Sequence, residues 1–162
     1  MRRALFVTLA GLIFAFTFFY VVAWPSTVQS GVNTATTRTI AAPINQTVWL
    51  PLGPIHVIGR KKVTINTVQL NQPSVGVEFV DSRIDIAQGP PSGGGAVDQT
   101  TLPSAAGAVL RAGDVATIYI ALSAGSPGTY RIRGVALSYA AGWLTRTTIA
   151  GPSIDLTVPT AA

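Results

Sequence analysis

The sequence contains no cysteine, a single histidine and a single methionine, and only 10% of its 162 residues are charged. Each scarcity removes a class of chemistry. Without cysteine there is no disulfide framework, no thiolate metal site and no cysteine nucleophile. Copper delivery draws on methionine and histidine, and Met1 is the only methionine. His56 is the one base available to a serine nucleophile, and no G-x-S-x-G elbow accompanies it. A general base also needs an orienting partner, and a place on a strand surface, in Pro54-Ile55-His56-Val57-Ile58, explains His56 without one. The carboxylates are Glu78, Asp81, Asp85, Asp98, Asp114 and Asp155, and none falls in a D-x-D-x-D calcium loop. A glycosidase would need two of them opposed across a bond, whereas Glu78 alternates onto the outer side of its strand. Gly93-Gly94-Gly95 lacks the Gly-Lys-Ser/Thr of a phosphate loop. The expectation is a protein with no catalytic residues, no metal and no cofactor.

Long charged runs are also missing. The net charge is +5, with two of the positive charges on Arg2 and Arg3. The rest of the chain has nine basic and six acidic residues, far from the basic stripe of a nucleic-acid binder. Arg60-Lys61-Lys62 is the densest basic run. It suits contact with acidic lipid or wall polymer, although such runs are ordinarily solvated turns.

What is present begins at the N-terminus. After a short stub of residues 1–3, Ala4 to Trp24 is an uncharged run of 21 residues. About 20 apolar residues in a helix cross a bilayer core, so residues 4–24 are expected to be a transmembrane helix whose partner is membrane lipid. Arg2 and Arg3 precede the run and no charge follows before Arg38. The positive-inside bias then places the N-terminus in the cytoplasm and the remainder outside. Tyr20 and Trp24 stand where an interfacial aromatic belt forms, and Pro25 stops the helix. A cleaved signal peptide is the competing reading, with Val21 and Ala23 at the small-residue positions. The apolar run is longer than the roughly 7–15 residues usual for such peptides. Gly11 and Ala15 make a small-xxx-small pair of the kind common in any span.

Residues 25–42 are small and polar without lasting periodicity, and they predict a flexible linker that holds the domain about 20–25 Å from the membrane. From there, residues 43–162 predict strands. Val75, Val77 and Phe79 alternate with polar or small residues, as do Ile118, Ile120 and Leu122, and Ile154, Leu156 and Val158. Further strands are expected near 46–50, 62–70, 129–139 and 143–149. The alternation slips at Gly134 and near Asn66, which predicts a β-bulge at each. Gly151-Pro152 is expected to start the last strand and Pro159 to end it. Residues 87–109, rich in glycine and proline, have the least strand character and are either a functional loop or a disordered one.

About seven strands without helices predict an all-β, antiparallel sandwich. Leu110-Arg-Ala-Gly-Asp before a strand, Pro127-Gly-Thr-Tyr130, and the hairpin to Trp143 resemble the closing strands of an immunoglobulin-like sandwich. That resemblance implies that Tyr130 is a corner tyrosine whose hydroxyl bonds backbone. The chain as a whole is similar to short, single-span, uncharacterised bacterial surface proteins with an immunoglobulin-like exterior. Such turn-and-core patterns speak for fold, not activity. Trp49, Tyr139 and Trp143 are the candidate binding surface, an aromatic platform as in carbohydrate-binding modules, with core packing as the competing account. The sequence thus predicts a non-enzymatic, membrane-anchored extracytoplasmic interaction or structural module whose partner it does not name. A surface module for glycan or cell-wall polymer is the alternative, and a hydrolase is the third reading.

Overall fold

A computed structural model describes residues 11–16, 26–87 and 98–160. Nine strands follow in order: β1 (Thr27–Ser30), β2 (Thr37–Ala41), β3 (Val48–Ile58), β4 (Val63–Leu70), β5 (Val77–Ala87), β6 (Val109–Leu110), β7 (Val115–Ala124), β8 (Gly128–Ala141) and β9 (Leu144–Val158). They form two sheets, ordered β1-β3-β7-β5 and β2-β9-β8-β4-β6. In strand letters the first sheet is A-B-E-D and β9-β8-β4 is G-F-C, the arrangement of the immunoglobulin fold. Every pairing is antiparallel except β2 with β9, which is parallel. The alternating aliphatics explain the layers. Ile55, Ile118, Ile120 and Ile84 from one sheet and Ile65, Leu137, Ile132 and Ile154 from the other are fully buried between them.

Both slips in alternation fall where the sequence places them. The β8–β9 register shifts between Arg133 and Val135, around Gly134. The β4–β8 register shifts between Ile65 and Thr67. The same irregularity explains why Gly151-Pro152 does not begin a strand. Pro152 lacks an N–H, but it lies where the ladder is already interrupted opposite Gly134, so β9 runs through from Leu144 to Val158. The inward residues of the last segment, Ile154, Leu156 and Val158, are all buried as the pattern predicts.

Two expectations need correction. Residues 25–42 are not a linker throughout, because β1 and β2 lie in this segment. Each is a short edge strand held by main-chain bonds to β3 or β9, which require no side-chain alternation. Among the described residues the first strand of the sandwich is β1, and a chain starting at residue 43 would lack two edge strands. Val75 does not continue the face of Val77 and Phe79. It is 99% exposed in the turn before β5. Gly76, at φ +100°, brings that turn against the Tyr130 ring. Further along, the β5–β7 register shifts between Phe79 and Asp81, which turns Ile84 inward.

The described part of 87–109 is tied down. The Ile84 N–H donates to the Pro103 carbonyl and the Ala105 N–H to that of Ser82; the Gly107 N–H donates to the Ile65 carbonyl and the Ile65 N–H to that of Ala108. Residues 103–108 thus strap edge strand β5 of one sheet to β4 of the other. Residues 88–97 lie outside the described residues. So do Arg2, Arg3, Tyr20 and Trp24, on which the orientation argument rests. Residues 11–16 are helical, with Leu12, Ile13, Phe14 and Phe16 exposed. Among the described residues no helix is long and apolar enough to cross a membrane.

Candidate functional site

Three turns and the start of the domain meet at one end of the sandwich, which we call the N-terminal end. The first turn joins β3 to β4 through Gly59-Arg60-Lys61-Lys62. Ser26 clamps it: the Lys61 N–H donates to Ser26 Oγ at 2.8 Å, and the Ser26 hydroxyl donates to the Lys61 carbonyl at 2.7 Å. Gly59 makes the clamp possible. At φ +132° it approaches Ser26 so closely that a Cβ would lie 2.6 Å from the Ser26 Cα. The second turn is the two-residue β8–β9 hairpin loop Gly142-Trp143, with Gly142 at φ +67°. The third leads from β6 into β7, where the Arg111 N–H donates to Asp114 Oδ2 at 2.7 Å and the Gly113 N–H to the Val57 carbonyl at 3.0 Å.

This end presents cations together with apolar side chains. Arg60, Lys62 and Arg111 are exposed, and Lys61 is half-buried. No carboxylate among the described residues pairs with Arg60 or Lys62. Trp143 is 78% exposed at the hairpin tip, and Ile58 and Val109 are also exposed on neighbouring strand ends. A shallow groove of about 360 Å³ runs beside the hairpin, lined by Lys61, Lys62, Thr64, Ala140 and Gly142. By contrast, the Arg131 guanidinium near the other end is spoken for, forming two bonds of 2.8 and 3.0 Å to Asp155. That pair holds the Asp155 carboxyl below the ordinary aspartate range and raises the arginine.

The three aromatic candidates do not form one surface. Trp49 is half-buried on β3 opposite Ala121. Tyr139 is buried, and its hydroxyl accepts from the Val28 N–H at 3.2 Å. Val28 pairs with Val57, eight residues along β3 from Trp49, a distance of about 25 Å along a strand. Tyr139 is instead a cross-sheet tie between β8 and β1. Tyr139→Phe should leave the buried Val28 N–H without a partner and cost about 1–3 kcal/mol. A denaturation midpoint unchanged by that substitution would contradict the tie.

His56 is half-buried on β3, with no hydrogen bond or ion pair to a carboxylate among the described residues. Its Nε2 lies near Gly31. Among the described residues no group of three His, Asp or Glu side chains could hold a metal ion. Asp81 is engaged by Arg83 at 2.7 Å, and Arg83 also donates to the Leu102 carbonyl. The Asp98 carboxylate accepts from the Thr100 hydroxyl and N–H, which lower its pKa from the ordinary aspartate value. Tyr130 makes the corner that the resemblance implies, its hydroxyl donating to the Ser126 carbonyl at 2.8 Å. Ser26 and Gly59 were not legible as site residues. The only signal of the basic turn was the run Arg60-Lys61-Lys62 itself.

No protein-family model matches the chain, and no curated protein matches it. Among solved structures it is similar to the ASH/PapD-like domain 7 of human CEP192, at 8% identity and TM-score 0.45, covering 85% of this chain and 87% of that one. It is also similar to the VesB protease of Vibrio cholerae, at 10% identity and TM-score 0.41, covering 87% of this chain and 35% of that one. The CooA pilin subunit of enterotoxigenic Escherichia coli gives 10% identity and TM-score 0.37, covering 84% of this chain and 99% of that one.

Proposed function

We propose that the chain is a single-span membrane protein whose immunoglobulin-like sandwich stands outside the cytoplasm as a non-enzymatic interaction or structural module. The observation that carries this reading is the uncharged run Ala4–Trp24 behind Arg2 and Arg3, which ends two residues before Ser26, just ahead of β1. A run of that length and polarity has a ready solution in a bilayer, and the charge bias orients it. The only histidine forms no ion pair with a carboxylate among the described residues, which supports a binding role over hydrolysis. The same reading accords with the chain's resemblance to short, single-span surface proteins.

The test is the state of the protein in its native membranes. Alkaline carbonate washing should leave it in the membrane pellet, and N-terminal sequencing should find the arginines still attached. A washed-out chain beginning at Trp24 would show that the segment is a cleaved signal and that the domain is released.

A further inference from the structure

The N-terminal end of the sandwich gathers an exposed tryptophan and a run of three cations. We infer that this end lies on the lipid headgroups of the bilayer that holds the anchor, with Trp143 at the interface and the Arg60-Lys61-Lys62 turn against lipid phosphates. The inference rests on the anchor reading above and adds the surface that meets the lipid.

Distance is the first argument. Consecutive Cα atoms are about 3.8 Å apart, so Ser26 lies within about 8 Å of Trp24, the last residue of the apolar run. Ser26 is bonded twice to Lys61. The basic turn is therefore tied to the residue at which the chain reaches the domain. A flexible linker would let the domain turn any face to the membrane; a strand that starts at Thr27 leaves little freedom to do so.

Composition is the second argument. Tryptophan favours the headgroup level, where its ring is apolar and its N–H can stay hydrated. Trp143 is 78% exposed on a two-residue tip, a costly place for a large ring in a protein surrounded only by water. Lysine and arginine near an anionic surface each favour the bound state about fivefold. Arg60 and Lys62 have no carboxylate partner among the described residues that would compete with lipid phosphate. Exposed Ile58 lies next to the same turn, and the groove beside the hairpin is lined by Lys61 and Lys62. In immunoglobulin terms these are the B–C and F–G loops, which variable domains use for recognition. Here they face the membrane, and a protein partner is left the opposite end or the sheet faces.

The cysteine-free sequence allows a clean test on the full chain. An environment-sensitive fluorophore is attached at Thr145→Cys, an exposed site beside the hairpin tip, or at Val75→Cys, exposed near the opposite end. Each chain is reconstituted into phosphatidylcholine vesicles containing phosphatidylglycerol, with or without lipid bearing a quencher near its headgroup. The label at residue 145 should lose emission to the lipid quencher and resist aqueous iodide, and the label at residue 75 should do the reverse. The triple variant Arg60→Gln, Lys61→Gln, Lys62→Gln should shift label 145 toward iodide access, by roughly fivefold in the docked-to-free ratio for each charge removed. Carbonate washing of the same vesicles reads the anchor separately. A chain that resists washing while both labels remain open to iodide overturns the docking and leaves the anchor standing. A chain that washes off overturns both.

Discussion

Replacing Leu156 with alanine should cost about 2–5 kcal/mol of folding stability, the largest effect of any single substitution considered for this domain. Leu156 is fully buried on β9, flanked in the sheet by Ile40 of β2 and Tyr130 of β8. It packs with Ala42, Ala124, Tyr130 and Val158. Two of those neighbours are alanines with no reach, and Tyr130 is fixed by its bond to the Ser126 carbonyl, so the vacated space is poorly refilled. Denaturant unfolding of the full chain in micelles should show a lowered midpoint with an unchanged slope. The neighbouring substitution Asp155→Ala is the internal control. It removes a solvent-side partner of Arg131 and should move the midpoint far less. Equal, small shifts for the two would mean that β9 is not a core strand.

The second large effect is expected at a residue with no side chain. In Gly59→Ala the new methyl would meet Ser26 Oγ at 2.5 Å and the Ser26 Cα at 2.6 Å. The second contact is with backbone, so no rotamer change relieves it. The φ of +132° is itself unfavourable for alanine, and strained backbone of this kind costs about 1–3 kcal/mol before any clash. Relief requires Ser26 to leave the turn, which breaks both of its bonds to Lys61 and loosens β1. Hydrogen exchange should locate the damage: the Lys61 amide and those of β1 should exchange faster while the amides of β7 keep their protection. Uniform protection in the variant would show that the clamp does not hold the N-terminal end together.

The central strands were legible because they bury one face and expose the other over many residues. Ile118, Ile120 and Leu122 in β7 and Ile154, Leu156 and Val158 in β9 carry that signal clearly. The slip at Gly134 was equally legible, since an interrupted alternation has few causes. The edge strands were not. β1 has only four residues and β2 has five, too few for alternation to stand out from a polar, threonine-rich segment. Their bonds are main-chain bonds to strands far along the sequence, which composition does not encode. The strap at 103–108 was hidden for the same reason, its contacts being backbone groups of β4 and β5. At the candidate site the basic run was visible and its neighbours were not. Trp143, Ser26 and Lys61 are distant in sequence, and only the strand register brings them to one end. The aromatic platform failed on a point that sequence leaves open: Tyr139 lies on the inward phase of β8, and its hydroxyl is used by the backbone of β1.

The parallel pairing of β2 with β9 bears on how the domain would carry a load. The chain enters at the N-terminal end, while β9 finishes at Val158, beside Gly128, at the other. A pull between the chain's entry at that end and anything held at the far end runs along the strand axes. The β1–β3 and β2–β9 ladders bridge strands that run along that line, with hydrogen bonds perpendicular to the strands in the antiparallel pair and slanted across them in the parallel one. Such a force slides the strands past one another, so the bonds of each ladder share the tension and do not peel apart one after another. The two short edge strands at the start of the domain, of four and five residues, are thus placed as shear joints, at the points where traction on the domain would first be felt.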